Sequence, residues 1–188
     1  TPSGRCIQKP YKKGDKKDYD KELDERYKHG ELYSADSIQF DDSLKYYTLR
    51  KHRTVYGGGG VMPDVFVPLD TTQYTKLHRQ LAAKGIVLNA NLKYVDSHRK
   101  RLKQQYSSFD KYLSDFEIPQ TVVDDIIAEG KKQKIEAKDE AELNQTLPYL
   151  KTQLKALVAR DLWDMSEYFQ VMNERNDIVM RAVEEMKK

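Results

Sequence analysis

Gly57-Gly58-Gly59-Gly60 is the first stretch whose composition could do chemistry, because successive glycine amides can cradle a phosphate. A phosphate loop of the G-x-x-x-x-G-K-[ST] kind also needs a lysine and a hydroxyl after the last glycine, and here Val61-Met62 follows. The run therefore reads as a flexible turn or a close backbone approach. Four histidines, His29, His52, His78 and His98, are the candidate ligands or bases. None stands with a second histidine or a carboxylate in an H-E-x-x-H spacing, so they read as surface or half-buried structural side chains. Asp15, Asp18, Asp20, Asp24, Asp36, Asp41 and Asp42 crowd the early chain without the D-x-[DN]-x-[DN]-G-x₅-E order of a calcium loop, and read as solvated faces and caps. His98-Arg99-Lys100-Arg101-Leu102-Lys103, between Tyr94 and Tyr106, could touch a phosphate backbone. The same pattern suits an amphipathic helix whose Tyr and Leu face a core and whose cations face water. No G-x-S-x-G elbow accompanies these groups. Taken by themselves, they assign no catalytic, cofactor-binding or metal-binding residue.

The bulk chemistry agrees. The 188 residues carry 33 Lys and Arg against 30 Asp and Glu, a net charge of +3, too small a bias for a dedicated nucleic-acid binder. Thirteen Tyr, five Phe and one Trp supply core material that disordered chains lack. No apolar run reaches the ~20 residues of a membrane-spanning helix. Cys6 stands alone, which excludes an intramolecular disulfide and a cysteine-rich zinc site. The opening Thr1-Pro2-Ser3-Gly4-Arg5, without an initiator Met or a signal segment, is what a processed form or a fragment would show.

Positioning elements follow from periodicity, which changes near residue 70. Before it, Arg5 to Gln8 reads as a short strand and Lys9 to Lys17 as a basic loop. Asp18 to His29 reads as a helix with Tyr19, Leu23 and Tyr27 on one face and Gly30 as its terminator. Tyr46 to Tyr56 and Val61 to Pro68 read as strands, the second bounded by prolines. After Asp70 the pattern is helical: Asp70-Thr71-Thr72 caps a helix to Lys84, Ile86 to Tyr106 forms a second, and Ser108 caps Phe109 to Phe116. Pro119 opens a helix that Gly130 ends, and Lys131 to Lys138 is a charged linker. Thr146 and Pro148 open a stripe of Leu147, Leu150, Leu154, Leu157, Val158, Met165, Phe169 and Met172. Asp177 to Met186 closes the chain. The expected fold class is α+β, mainly α, with a few short strands followed by a helical bundle, divided into residues 1–70 and 71–188.

Two segments carry a family resemblance. Thr1-Pro2-Ser3-Gly4-Arg5-Cys6-Ile7-Gln8 and Gly60-Val61-Met62-Pro63-Asp64 resemble, in order, the T-P-S-G-R-x-I-Q strand and the G-[IV]-x-P-D motif that end the catalytic domain of C-terminal processing (tail-specific) serine proteases. The departure is the spacing, since residues 9–59 lie between them where the family usually has a few. From Asp70 onward, the helical part is similar to the C-terminal extension of Bacteroidetes-type members.

The resemblance implies an endopeptidase in which a lysine of lowered pKa activates a serine, with backbone amides holding the oxyanion. It further implies a PDZ domain gripping the apolar C-terminus of a protein or peptide substrate, and a periplasmic or envelope location. The family's G-S-x-x-S-E nucleophile segment and its G-K-G lysine precede the T-P-S-G-R strand and do not occur in this chain. No catalytic residue is carried over, and neither Ser3 nor Lys9 takes such a role. The expectation is a C-terminal region, inactive alone. Residues 1–8 and 61–68 would supply strands to the protease sheet, with 9–60 inserted, and residues 1–8 of the isolated fragment would be poorly ordered or pair intermolecularly. The helices would dock on the protease core, limit access to its cleft, or mediate homo-oligomerisation. The alternative is a non-catalytic helical interaction module of the envelope, with an exposed apolar groove along Leu150, Leu154, Leu157 and Met165. No cofactor is implied, and neither nucleic acid nor a membrane span is expected.

Overall fold

A computed structural model describes residues 1–9, 14, 16–39 and 41–188, with the side chains of residues 16, 18–20, 22 and 23 outside the description. The core of the expected Lys9–Lys17 loop and the Tyr19 and Leu23 side chains therefore lie outside the described residues. The chain divides into two compact units, Thr1–Asp70 and Thr71–Lys188.

In the first unit, helix α1 spans Lys16–Lys28. Its end forms where the sequence places a glycine: Gly30, at φ 81°, donates to the Tyr27 carbonyl, and Glu31 donates to that of Arg26. These two bonds are a Schellman closure, which needs a left-handed residue and so favours glycine. Two short 3₁₀ turns, Ala35–Ser37 and Asp42–Leu44, are capped by the Ser34 and Asp41 side chains. Strands β1 (Lys45–Tyr47) and β2 (Thr54–Tyr56) pair antiparallel, with Tyr46 opposite Val55. The expected Tyr46–Tyr56 strand is thus a hairpin. Its chain reverses through residues 48–53, where Thr48 takes the Arg53 amide on its side chain and His52 adopts φ 45°. Neither Arg5–Gln8 nor Val61–Pro68 forms a strand, a correction to both expectations.

The second unit is helical throughout: α2 Lys76–Ala83, α3 Ile86–Gln105, α4 Phe109–Asp115, α5 Gln120–Lys132, α6 Glu140–Leu162, α7 Met165–Asn173 and α8 Asp177–Met186. Together with one hairpin among the described residues, this is the mainly α form of an α+β chain. Caps set the boundaries. Thr75, Ser108, Asp139 and Asn176 each accept a backbone amide from the first turn of the helix that follows. Helix α2 accordingly starts at Lys76, not at the Asp70-Thr71-Thr72 cluster. Helix α6 starts six residues before the expected Thr146, so Pro148 sits inside it.

The core lies where α6 meets α2, α3, α5 and α7. Leu77, Leu81, Val95, Leu102, Val123, Ile126, Leu150, Leu154, Val158 and Val171 are fully or almost fully buried. At one end an aromatic cluster closes it. The Tyr112 ring stacks on Phe116 at 4.6 Å and lies 5.1 Å from Trp163, while its hydroxyl donates to the Lys155 carbonyl at 2.7 Å.

Gly130 does not end α5. The helix continues to Lys132 and closes with a second Schellman pair, Lys134 to Lys131 and Ile135 to Gly130, with Lys134 itself at φ 61°. A Cβ on Gly130 would stand 2.7 Å from Leu81 Cδ2 and 3.0 Å from the Ile135 carbonyl, so the glycine is there for close packing. The two positions predict opposite effects. Gly130→Ala should destabilise by about 1–3 kcal/mol through overpacking, despite alanine's better helix propensity. Lys134→Gly should stabilise by up to about 1 kcal/mol by relieving left-handed strain. Urea midpoints of the two variants against the parent chain check both signs.

Candidate functional site

Three places gather the groups singled out in the sequence. In the first unit, the first resemblance segment meets the glycine run that leads into the second. The Cys6 carbonyl accepts the Gly58 amide at 2.9 Å and the Ile7 carbonyl accepts that of Gly60 at 2.7 Å. Arg5 Nη1 donates to the Tyr56 carbonyl at 3.3 Å. The glycines permit this approach: a Cβ on Gly57 would fall 2.8 Å from the Cys6 carbonyl, and one on Gly58, at φ 77°, would fall 2.8 Å from Leu44 Cδ1. The run is a close backbone approach, not a phosphate cradle. Cys6 and Ile7 thus meet the glycine run through their carbonyls. Ser3 Oγ lies 3.1 Å from Thr1 Oγ1, and Asp64 pairs with Arg53 at 2.8 Å on the surface.

In the second unit, a groove of about 680 Å³ runs between α3 and α5. Ala90, Tyr94, Val122 and Ile126 line its floor, Lys93, His98 and Arg101 stand on the α3 side, and Asp125 and Glu129 on the α5 side. The basic run is the outer face of α3: Tyr94, Leu102 and Tyr106 are buried, while Arg99, Lys100, Arg101 and Lys103 are exposed. Arg99 donates to the Asp161 carbonyl at 2.6 Å. Ser97 Oγ donates to the Lys93 carbonyl and His98 Nδ1 to that of Tyr94, each four residues back along the helix. Serine and histidine are thus both held to their own helix instead of to each other. Burial pushes the Tyr94 hydroxyl up, and the Arg101 guanidinium partly offsets this.

The third place is a buried polar node at the start of α2, which sequence reading missed. Glu142 accepts the Leu77 amide on one carboxylate oxygen at 3.1 Å and the Lys138 amide on the other at 2.9 Å. Thr146 donates to the Glu142 carbonyl, so the 2.6 Å contact between Thr75 and Thr146 has Thr75 as donor. Thr75 in turn accepts the His78 amide. His78 is 2% exposed, with Nε2 2.8 Å from Gln153 Oε1 and Nδ1 buried without a partner. Its neutral form donates from Nε2, and burial pushes its pKa below the usual 6.5. The Glu142 carboxyl is held below its ordinary value by the Lys138 and Leu77 amides. The available signal was Asp139-x-x-Glu142, a capping-box spacing just before an apolar run. The node fastens the N-terminus of α2 to α6, and its carboxylate meets the helix dipole of α2.

His29 and His52 are exposed in the first unit, and the other two histidines occupy separate places in the second. Among the described residues, no group of three or more His, Cys, Asp or Glu side chains converges to hold a metal ion, and no helix is long and apolar enough to cross a membrane. The groove required along Leu150, Leu154, Leu157 and Met165 is absent in that form, because the three leucines are buried core residues.

Residues 77–164 match a family described as a family of unknown function (DUF8443). The match runs from the second residue of α2 to the N-cap of α7, the segment that contains the groove and all of the polar node but Thr75. No curated protein and no solved structure matches the chain.

Two predictions follow from the node. Glu142→Ala strands the buried Leu77 amide and removes the partner of the part-buried Lys138 amide, and should cost about 1–3 kcal/mol in a denaturant titration. For His78 the folded pKa lies below the unfolded one, so the folded state binds fewer protons. Stability should then fall as pH drops below about 6.5. In His78→Leu, that part of the pH dependence should vanish between pH 7.5 and 5.5.

Proposed function

We propose that this chain is the C-terminal region of a carboxy-terminal processing serine endopeptidase of the Ser–Lys type, with the catalytic pair upstream of Thr1. The supporting observation is the seam between Cys6-Ile7 and Gly58-Gly60. Two segments that resemble consecutive motifs of that family are some fifty residues apart, yet the Gly60 amide that opens the second donates to the Ile7 carbonyl of the first. In this reading the region carries no nucleophile or base. Its first unit completes the end of the protease domain, and its helical unit has a structural, gating or self-association role. Proteins cleaved near their C-termini are the substrates, reached through the upstream protease and PDZ domains in the periplasm or envelope.

A second reading, a helical interaction module without hydrolytic chemistry, draws support from α8, in which no residue is buried while Ile178, Met180, Val183 and Met186 are exposed. The deciding experiment is peptide mapping of the native protein by mass spectrometry, followed by assay of that full chain on a peptide with an apolar C-terminus. The first reading expects a G-S-x-x-S-E segment and a later lysine before Thr1, and cleavage that is lost on replacing that serine by alanine. Upstream sequence without the pair, or an unaffected serine variant, overturns it in favour of the second.

A further inference from the structure

The groove between α3 and α5 holds charges that the fold leaves unused. Lys93 and Arg101 stand on its α3 side, Asp125 and Glu129 on its α5 side, and the buried Tyr94, Val122 and Ile126 lie between them. Glu129 is already engaged: Gln133 at 3.0 Å and Lys132 at 3.3 Å bond it and hold its carboxyl below its ordinary value. Arg101 is steered by the Tyr94 hydroxyl beside it, whose ionisation it favours. Among the described residues, Lys93, Arg101 and Asp125 form no ion pair. Two cations and one anion thus stand on separate walls of an apolar floor, too far apart to meet.

That arrangement calls for a ligand with a carboxylate and an ammonium at its two ends and apolar groups between. A purely anionic ligand would face Asp125, and a purely cationic one would face Lys93 and Arg101. The groove volume, about 680 Å³, is that of a site for a molecule larger than one amino acid. Asn89 and Thr121, exposed on its rim, can both donate to and accept from amide groups, which a peptide backbone carries. A zwitterionic lipid headgroup has no such amides and calls for aromatic faces around its quaternary ammonium. Here the rings of Tyr94 and His98 stack on each other at 4.6 Å instead of forming opposite walls. We propose that the α3–α5 groove binds short apolar peptides with both termini free, the carboxylate held by Lys93 and Arg101, the ammonium by Asp125, and the side chains by Tyr94, Val122 and Ile126. The proposal goes beyond the peptidase reading and does not rest on it.

An amide NMR titration of the chain with the tripeptide Leu-Leu-Leu, up to about 5 mM, tests it. The expected result is saturable shifts confined to α3 and α5, with no such response to Gly-Gly-Gly, which has the same termini and no side chains. N-acetylated Leu-Leu-Leu and its C-terminal amide should each bind about three- to fivefold more weakly, the effect of losing one exposed ion pair. Asp125→Asn should weaken the free peptide by a similar factor and leave the affinity for the acetylated one unchanged. Lys93→Gln with Arg101→Gln should do the same toward the amide. These three side chains are exposed, so the variants should keep the parent unfolding midpoint, and Arg79→Gln, on α2 outside the groove, should keep the parent affinity. Absence of saturable shifts, or shifts centred elsewhere, overturns the proposal. So does equal binding of the blocked and free peptides on the parent chain, which is what an internal segment of a larger partner would give and which needs no variant to fold. Equal binding of Gly-Gly-Gly also overturns it. None of these readouts is a cleavage assay or depends on an upstream Ser–Lys pair, so the groove proposal and the peptidase reading can fail separately.

Discussion

The helical unit depends on one row of side chains along α6. Glu142, Thr146, Leu150, Leu154, Val158 and Leu162 recur every fourth residue, and all six are buried. With 3.6 residues per turn, each step of four advances the row by ~40°, so five steps carry it ~200° around the axis. A single row therefore faces different neighbours at its two ends. This is why α6 can pack against α2, α3, α5 and α7 without being apolar all round. The same geometry explains the change of chemistry along the row. At the N-terminal end it meets the start of α2, where free amides call for a carboxylate and hydroxyls. Further along it meets side chains, where leucine and valine suffice.

Much of this was readable from the sequence where the local signal and the tertiary demand agree. Ser108 caps α4 as expected, Gly30 closes α1 in a left-handed conformation, and Asp177–Met186 is a helix with the expected ends. Misreadings arose where a residue serves packing in place of local conformation. Gly130 has the propensity of a helix terminator, but what selects it is the proximity of Leu81 and Ile135. Pro148 suits a first helical turn, yet the Asp139 cap and the burial of Glu142 draw α6 back past it. The apolar run of residues 147–172 looked like one stripe. It is broken at Trp163, whose ring joins the aromatic cluster, and resumes after the Asp164 cap. Glu142 was invisible for a different reason, since a charged residue at a capping-box position gives no sign that its carboxylate is buried by a helix 65 residues away.

Functional legibility was uneven in the same way. The basic run on α3 resolved into a solvated face once Tyr94, Leu102 and Tyr106 took their places in the core. The glycine run had no side chains from which to read a partner, and only the fold reveals that the partner is the backbone of Cys6 and Ile7. Peptide groups leave no trace in composition or periodicity. A seam built from them is found only in the structure.

That seam also sets what the chain between its two halves is free to do. Because Cys6-Ile7 and Gly58-Gly60 are held side by side, the stretch between them starts and ends at nearly the same point in space. The entropy lost in closing such a loop grows only with the logarithm of its length, about 0.6 kcal/mol per doubling. The seam is therefore almost indifferent to how many residues it encloses. The long excursion through α1 and the hairpin could be shortened, lengthened or exchanged for a tight turn while the register of the two segments is kept. Length between the motifs is an open variable of this architecture, whereas their adjacency is fixed.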